Sequence, residues 1–220
     1  SHFNRGNVLF DKGDMQGALA DLTRAIELDS KFASAYFNRS VVRYLSGDIA
    51  GTIDDCSRVI ALNPHSAKAY NNRGQMLCEK GDLRGALADL ERALKLDPHL
   101  AQARVTRGNI SVAQRDFAGA LADFNLAIKH NSQLAEAYNS RGNLWYLKQD
   151  FEKAIADHSR AIELDSRQAS AYVNRGMALL QQGKEAEAQQ DFEQCLRLDG
   201  SLKSELERRI TAAQRRLAGK

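Results

Sequence analysis

Leu83, Ala86, Leu87 and Leu90 fall in the i, i+3, i+4, i+7 order of a helix buried along one side, and Ala93 and Leu94 continue it. Asp82 stands as the N-cap of this helix, which runs to about Leu96. A preceding helix spans about Ala67 to Lys80 and stops at Gly81, a residue free to take the left-handed conformation that ends a helix. The pattern predicts a pair of helices joined by a tight turn.

The pair recurs every 34 residues. Arg5, Arg39, Arg73, Arg107, Arg141 and Arg175 stand in register, as do Asp21, Asp55, Asp89, Asp123, Asp157 and Asp191. The turn returns as Gly13-Asp14 and Gly47-Asp48, whereas Arg115-Asp116 and Gln149-Asp150 keep only the cap. Six units follow, at 1–32, 33–66, 67–100, 101–134, 135–168 and 169–202, and both prolines, Pro64 and Pro98, lie at unit ends. Such a unit buries its apolar face only against its neighbours, so function is to be sought along a surface.

In the unit from Ala67 to Leu100, Tyr70, Gly74, Leu77, Ala86, Leu90 and Pro98 fall in the large, glycine, large, small, large and proline slots of the tetratricopeptide repeat, which this unit resembles closely. The resemblance covers residues 1 to about 202, with arginine where the family pattern has leucine. It implies an all-α, right-handed superhelical solenoid of antiparallel helix pairs whose first helices, the A helices, line a concave groove.

Mid-helix glycine costs about 1 kcal/mol relative to alanine. Gly6, Gly74, Gly108, Gly142 and Gly176, opposite Ala18, Ala86, Ala120, Ala154 and Ala188, therefore predict a close helix approach within each pair. Ser40, Thr52 and Arg43 make the second unit the least regular. Residues 203–220 read as a capping helix with Leu202, Leu206, Ile210, Ala213 and Leu217 on one face, and Arg208, Arg209, Arg215 and Arg216 as its solvated side. Ser1 and His2 fall where a first helix should already be running, as in a segment of a longer chain.

The net charge of +3 is small and gives no ground for a nucleic-acid partner. No apolar run is long enough to span a membrane. Three cysteines without a C-x-x-C spacing fit small buried thiols in a reducing compartment such as the cytoplasm. His2, His65, His99, His130 and His158 are scattered, no phosphate loop or nucleophile elbow occurs, and the acidic residues recur in register. A catalytic pair should be a singular event in an array, so neither catalysis, metal nor cofactor is expected.

Arg73 and Asp89, with their equivalents, read as a structural ion pair, either inside a helix pair or across to the adjacent one. Asp21, Asp55, Asp89 and Asp157 also have arginine three residues on, at Arg24, Arg58, Arg92 and Arg160, a helical-neighbour spacing. For the groove, the resemblance points to the exposed A-helix slots of the third unit, Lys68, Asn71, Asn72, Gln75 and Glu79. The slot of Asn72 reads Asn4, Asn38, Asn72, Thr106, Ser140 and Asn174, and the next turn reads Asn7, Val41, Gln75, Asn109, Asn143 and Met177. Asn139 repeats Asn71. Asparagine is a poor helix former, but its amide offers both donors and an acceptor, as an extended backbone requires. Phe37, Tyr44, Val105, Val112, Tyr146 and Leu147 would supply apolar pockets.

The expected partner is therefore a protein or peptide held as an extended segment in the groove. Two alternatives stand beside this. The chain could be the substrate-recruiting or regulatory arm of a larger enzyme, or a receptor for chaperone C-terminal tails. For the latter, Asn7, Asn38 and Lys68 match the family's carboxylate clamp, but Phe3 and Asn72 replace its two other cations.

Overall fold

The computed structural model describes the backbone of residues 1–218 and the side chains of residues 1–215, which form thirteen α-helices and no strand. They pair along the chain as α1 (His2–Asp11) with α2 (Met15–Leu28), α3 (Ala33–Leu45) with α4 (Ile49–Leu62), and α5 (Ala67–Glu79) with α6 (Leu83–Leu96). Then come α7 (Ala101–Ala113), α8 (Phe117–His130), α9 (Ala135–Leu147), α10 (Phe151–Leu164), α11 (Ala169–Gln181) and α12 (Glu185–Leu198), and, after a 3₁₀ turn at Gly200–Leu202, α13 (Lys203–Ala218). The fold is an all-α helical repeat. Two compact units are formed, Ser1–Thr106 and the chain from Arg107 on, and the division falls within α7.

The turn chemistry sets the helix ends. Gly81 has φ +83°, its N–H donates to the Cys78 carbonyl and that of Asp82 to the Leu77 carbonyl, which closes α5 with a left-handed cap. The Asp82 carboxylate then accepts from the Gly85 N–H at 2.9 Å and opens α6. Arg115 and Gln149 take the same left-handed conformation without being glycine, at φ 63° and 62°.

Within a pair the helices approach to backbone distance. A methyl group added at Gly74 would lie 3.1 Å from the Leu90 side chain and 3.2 Å from the Ala86 carbonyl oxygen. The expected glycine-to-alanine approach changes partner in the second unit: at Gly108, Gly142 and Gly176 the nearest atoms belong to the rings of Phe124, His158 and Phe192. His158 is thus a wholly buried ring in an apolar slot. In the irregular second repeat, Thr52 donates to the Asp48 carbonyl at 2.7 Å and Ser40 to the Phe37 carbonyl at 2.6 Å, so both buried hydroxyls are satisfied.

The arginine series forms bidentate pairs inside each helix pair. Arg73 Nε and Nη2 donate to the two Asp89 oxygens at 2.7 and 2.8 Å, and the same geometry joins Arg5 to Asp21, Arg39 to Asp55, Arg107 to Asp123, Arg141 to Asp157 and Arg175 to Asp191. The third nitrogen reaches back one helix: Arg39 to Thr23, Arg73 to Ser57 and Arg175 to Ser159 at 3.1 Å, Arg141 to Asn125 at 2.6 Å. Each of these four guanidiniums also lies over a tyrosine ring one helical turn earlier, Tyr36, Tyr70, Tyr138 or Tyr172. The helical-neighbour pairs do not form: Arg24 pairs with Glu27, Arg160 with Glu163, and Arg58 donates to the Ser30 carbonyl. The aspartates point inward to the in-register arginines, leaving those outer arginines to solvent-side partners.

Residues of α13 complete a cluster in the second unit, where Leu206 and Ala213 are buried with Val173, Met177, Leu180, Phe192 and Cys195, and Ile210 packs against them. Leu202 belongs to the preceding 3₁₀ turn, and the expectations for the Arg216 and Leu217 side chains lie outside the described residues.

Candidate functional site

In the first unit, α1, α3 and α5 are the A helices, and two clefts open along them at successive repeats. The first, about 180 Å³, is lined by Asn7, Phe10, Asp11, Leu22, Asn38, Val41 and Val42. The second, about 260 Å³, is lined by Val41, Tyr44, Leu45, Thr52, Asn72, Gln75 and Met76. Apart from one residue from the second helix of each pair, the two lists are register equivalents 34 residues apart: Asn7, Phe10, Asp11, Asn38, Val41 and Val42 become Val41, Tyr44, Leu45, Asn72, Gln75 and Met76. Both are smaller than the about 300–1,000 Å³ typical of small-molecule pockets, a size for single side chains.

The amides edge these clefts. Asn38 Nδ2 donates to Asn7 Oδ1 at 2.8 Å, which leaves the Asn7 amide hydrogens and the Asn38 oxygen open. Gln75 donates to the Tyr44 hydroxyl at 3.1 Å and fixes that ring at the second cleft. Asn72 accepts from Asn71 at 3.2 Å. Lys68 and Asn4 are exposed beyond the cleft walls, and Phe37 is half-buried.

Several expected groove residues turn inward instead. Asn71 and Asn139 are buried, as are Thr106, Ser140 and Val105. For Asn71 and Asn139 the signal was in the slot itself, whose other members are Phe3, Phe37, Val105 and Val173; for Thr106 and Ser140, in the slot of Asn72, it was not. The Thr106 hydroxyl donates back to the Gln102 carbonyl at 3.2 Å. Phe10, Leu45, Leu22, Val42 and Met76, which line the clefts, were missed; translating Tyr44 back by one repeat would have found Phe10.

In the second unit, Asn109 and Asn143 are exposed, but Asn139 and Asn174 belong to an internal chain of hydrogen bonds. Asn139 Oδ1 is 3.0 Å from His158 Nδ1 and accepts from Asn174 Nδ2 at 3.3 Å, while Asn174 Oδ1 accepts from Arg209 of α13 at 3.3 Å. Burial first, and the Arg175 charge second, push the His158 pKa down to about 3. Its Nε2 and the Asn71 oxygen have no hydrogen-bond partner among the described residues.

Burial raises the Cys56 thiol to about 11, far from a reactive thiolate, and Cys195 is buried as well. Among the described residues no group of three His, Cys, Asp or Glu side chains is placed to hold a metal ion, and no helix is long and apolar enough to cross a membrane.

Family models described as tetratricopeptide repeat match residues 46–107 and 169–201, and a model described as TPR repeat matches residues 6–47 and 142–183. Among solved structures, the chain is similar to YrrB, described as a TPR protein with an unusual peptide-binding site, at 24% identity and a TM-score of 0.57 over 77% of this chain and 88% of that one. It is similar to Pseudomonas aeruginosa pilF at 18% identity and a TM-score of 0.73 over 90% of each chain. It is also similar to TTC0263, a thermophilic TPR protein of Thermus thermophilus, at 19% identity and a TM-score of 0.67 over 81% of this chain and 97% of that one. Likeness at these identities is one of fold. No curated protein matches the chain by sequence.

Proposed function

This chain belongs to the tetratricopeptide repeat family, a scaffold for protein–protein interaction, and from that premise we propose that it binds an extended peptide segment along the A helices of its first unit, without catalysis. The repetition of one cleft at two successive repeats carries the reading, because a regular array of side-chain-sized hollows suits a chain that places side chains at regular intervals. The open amide hydrogens of Asn7 and the open oxygen of Asn38 offer a donor and an acceptor to one peptide unit between the hollows. Lys68, Asn72 and Gln75 continue that edge in the third repeat. A tail-carboxylate clamp is less well supported, since no cation lines either cleft and Asp11 lines the first.

Selection of randomised twelve-residue peptides on the immobilised protein, followed by anisotropy titration, tests the reading. Asn38→Ala and Asn72→Ala should each weaken binding about three- to tenfold, the worth of about 0.5–1.5 kcal/mol for a hydrogen bond. Thermal stability should hold or rise slightly, alanine being the better helix former. Asp89→Ala should instead cost about 3–5 kcal/mol of stability by stranding Arg73, with little direct effect on affinity. Normal binding by asparagine variants that unfold more easily would make the amides internal props.

A further inference from the structure

Resting on the peptide-binding reading, we propose that the two clefts of the first unit select a segment carrying a lysine or arginine and, about three residues away, a large apolar side chain. The clefts share a register but differ in charge. Asp11 lines the first and is the one ionisable carboxylate or cation among the residues of either; its equivalent in the second is Leu45, an exposed leucine.

Asp11 is the last residue of α1. The carbonyl end of a helix favours cations, so a carboxylate there is held against the local field, and an incoming ammonium or guanidinium would answer both the side chain and the helix end. Asp11 makes no ion pair among the described residues, and Lys12, the next residue, forms none with it. Phe10, Val41 and Val42 offer apolar surface for the methylene stem of a long cationic side chain, whose head can stay hydrated at the rim.

The second cleft presents Val41, Tyr44, Leu45 and Met76, with its polar edge made by uncharged Thr52, Asn72 and Gln75. The nearby cation, Arg43, is committed to Asp55, Asp48 and the Gly51 carbonyl. A charged side chain placed in this hollow would lose hydration without a partner, so an apolar one is selected. Neighbouring packed helices lie about 8–10 Å apart and an extended chain advances about 3.3 Å per residue, which separates the two anchors by about three residues.

The test uses the whole chain and a labelled peptide, acetyl-Gly-Arg-Ser-Ser-Leu-Gly-amide, in anisotropy titrations. Changing its arginine to glutamate should weaken binding about threefold to fivefold or more, the scale of an exposed ion pair, and changing its leucine to serine about tenfold. Asp11→Lys should reverse the charge preference, binding the glutamate peptide better than the arginine peptide. An unchanged preference in Asp11→Lys, with Tyr44→Ser still weakening binding, overturns the cationic anchor and leaves the groove reading intact. Insensitivity to both substitutions overturns the two together. Failure of the whole series to bind, while a library-selected peptide loses affinity in Tyr44→Ser, overturns this inference alone.

Discussion

Asn38 and Asn174 occupy the same register position in different units, and they turn to different partners. Asn38 donates to Asn7 at the rim of an apolar cleft, whereas Asn174 donates to the buried Asn139 and accepts from Arg209. The preceding repeat decides. In the first unit the inward position before Asn38 is Phe3, so the amide turns one helical turn further along, to Asn7; in the second that position is Asn139, held by the His158 ring. Equal residues in equal slots therefore do different work, because the partner offered one repeat earlier differs. In unit one the amides edge open hollows, and in unit two they tie helices together.

The largest break of this comparison should come from removing residues 203–220. Burying one leucine stabilises by about 1.5–3 kcal/mol, and the deletion strips Leu206 and uncovers Leu180 and Phe192 besides. A loss on the order of 3 kcal/mol or more is expected, confined by hydrogen exchange to the second unit, with the first unit's amides unchanged. Unchanged melting and solubility would deny α13 any covering role.

A second difference should appear with pH. The unfolded chain protonates His158 near the ordinary 6.5, the native ring only near about 3. Its contribution is complete above the higher value and is lost as pH falls toward the lower, by up to about 1.4 kcal/mol per unit. The first unit has no fully buried histidine, and its Asp21 carboxylate, held low by Arg5 and then His2, matters only at more acid pH. Exchange protection measured at pH 6.5 and 4.5 should therefore fall in the second unit alone, and His158→Phe should remove the slope.

The smallest effect sharpens the contrast between the asparagines. Asn174→Ala should cost about 0.5–1.5 kcal/mol of second-unit stability and leave peptide affinity within about twofold, the reverse of Asn38→Ala. A peptide whose affinity falls in Asn174→Ala would extend the binding surface beyond the first unit.

Helix boundaries were legible because the turn residues carry their own mechanism: Gly81 and Asp82 end one helix and start the next through backbone bonds that need no distant partner. That the arginines and aspartates pair was legible from register, as was the helical repeat fold, whereas the pairing within rather than between helix pairs came from the structure. What sequence left out was direction. Asn71 and Asn72 are neighbours in a helix, yet the first is buried and the second edges a cleft, since a turn of 100° separates adjacent side chains. Asp21 and Arg24 have the right helical spacing, but the stronger bidentate partner, Arg5, lies across the pair. His158 read as polar by type, while its slot, shared with Leu90, Phe124 and Phe192, was apolar.

The backward reach of each arginine has a consequence for how such a chain can be altered. Arg39, Arg73, Arg141 and Arg175 each clasp an aspartate sixteen residues ahead and a hydroxyl or amide sixteen residues behind, so these four joints share one plug and socket. At these four joints a shift of 34 residues brings each arginine to an equivalent aspartate and to a hydroxyl or amide behind it. A shift one residue longer turns the plug 100° away from its socket. A change of whole 34-residue steps thus preserves these joints, while what lines a hollow, as Asp11 against Leu45 shows, can change without touching them.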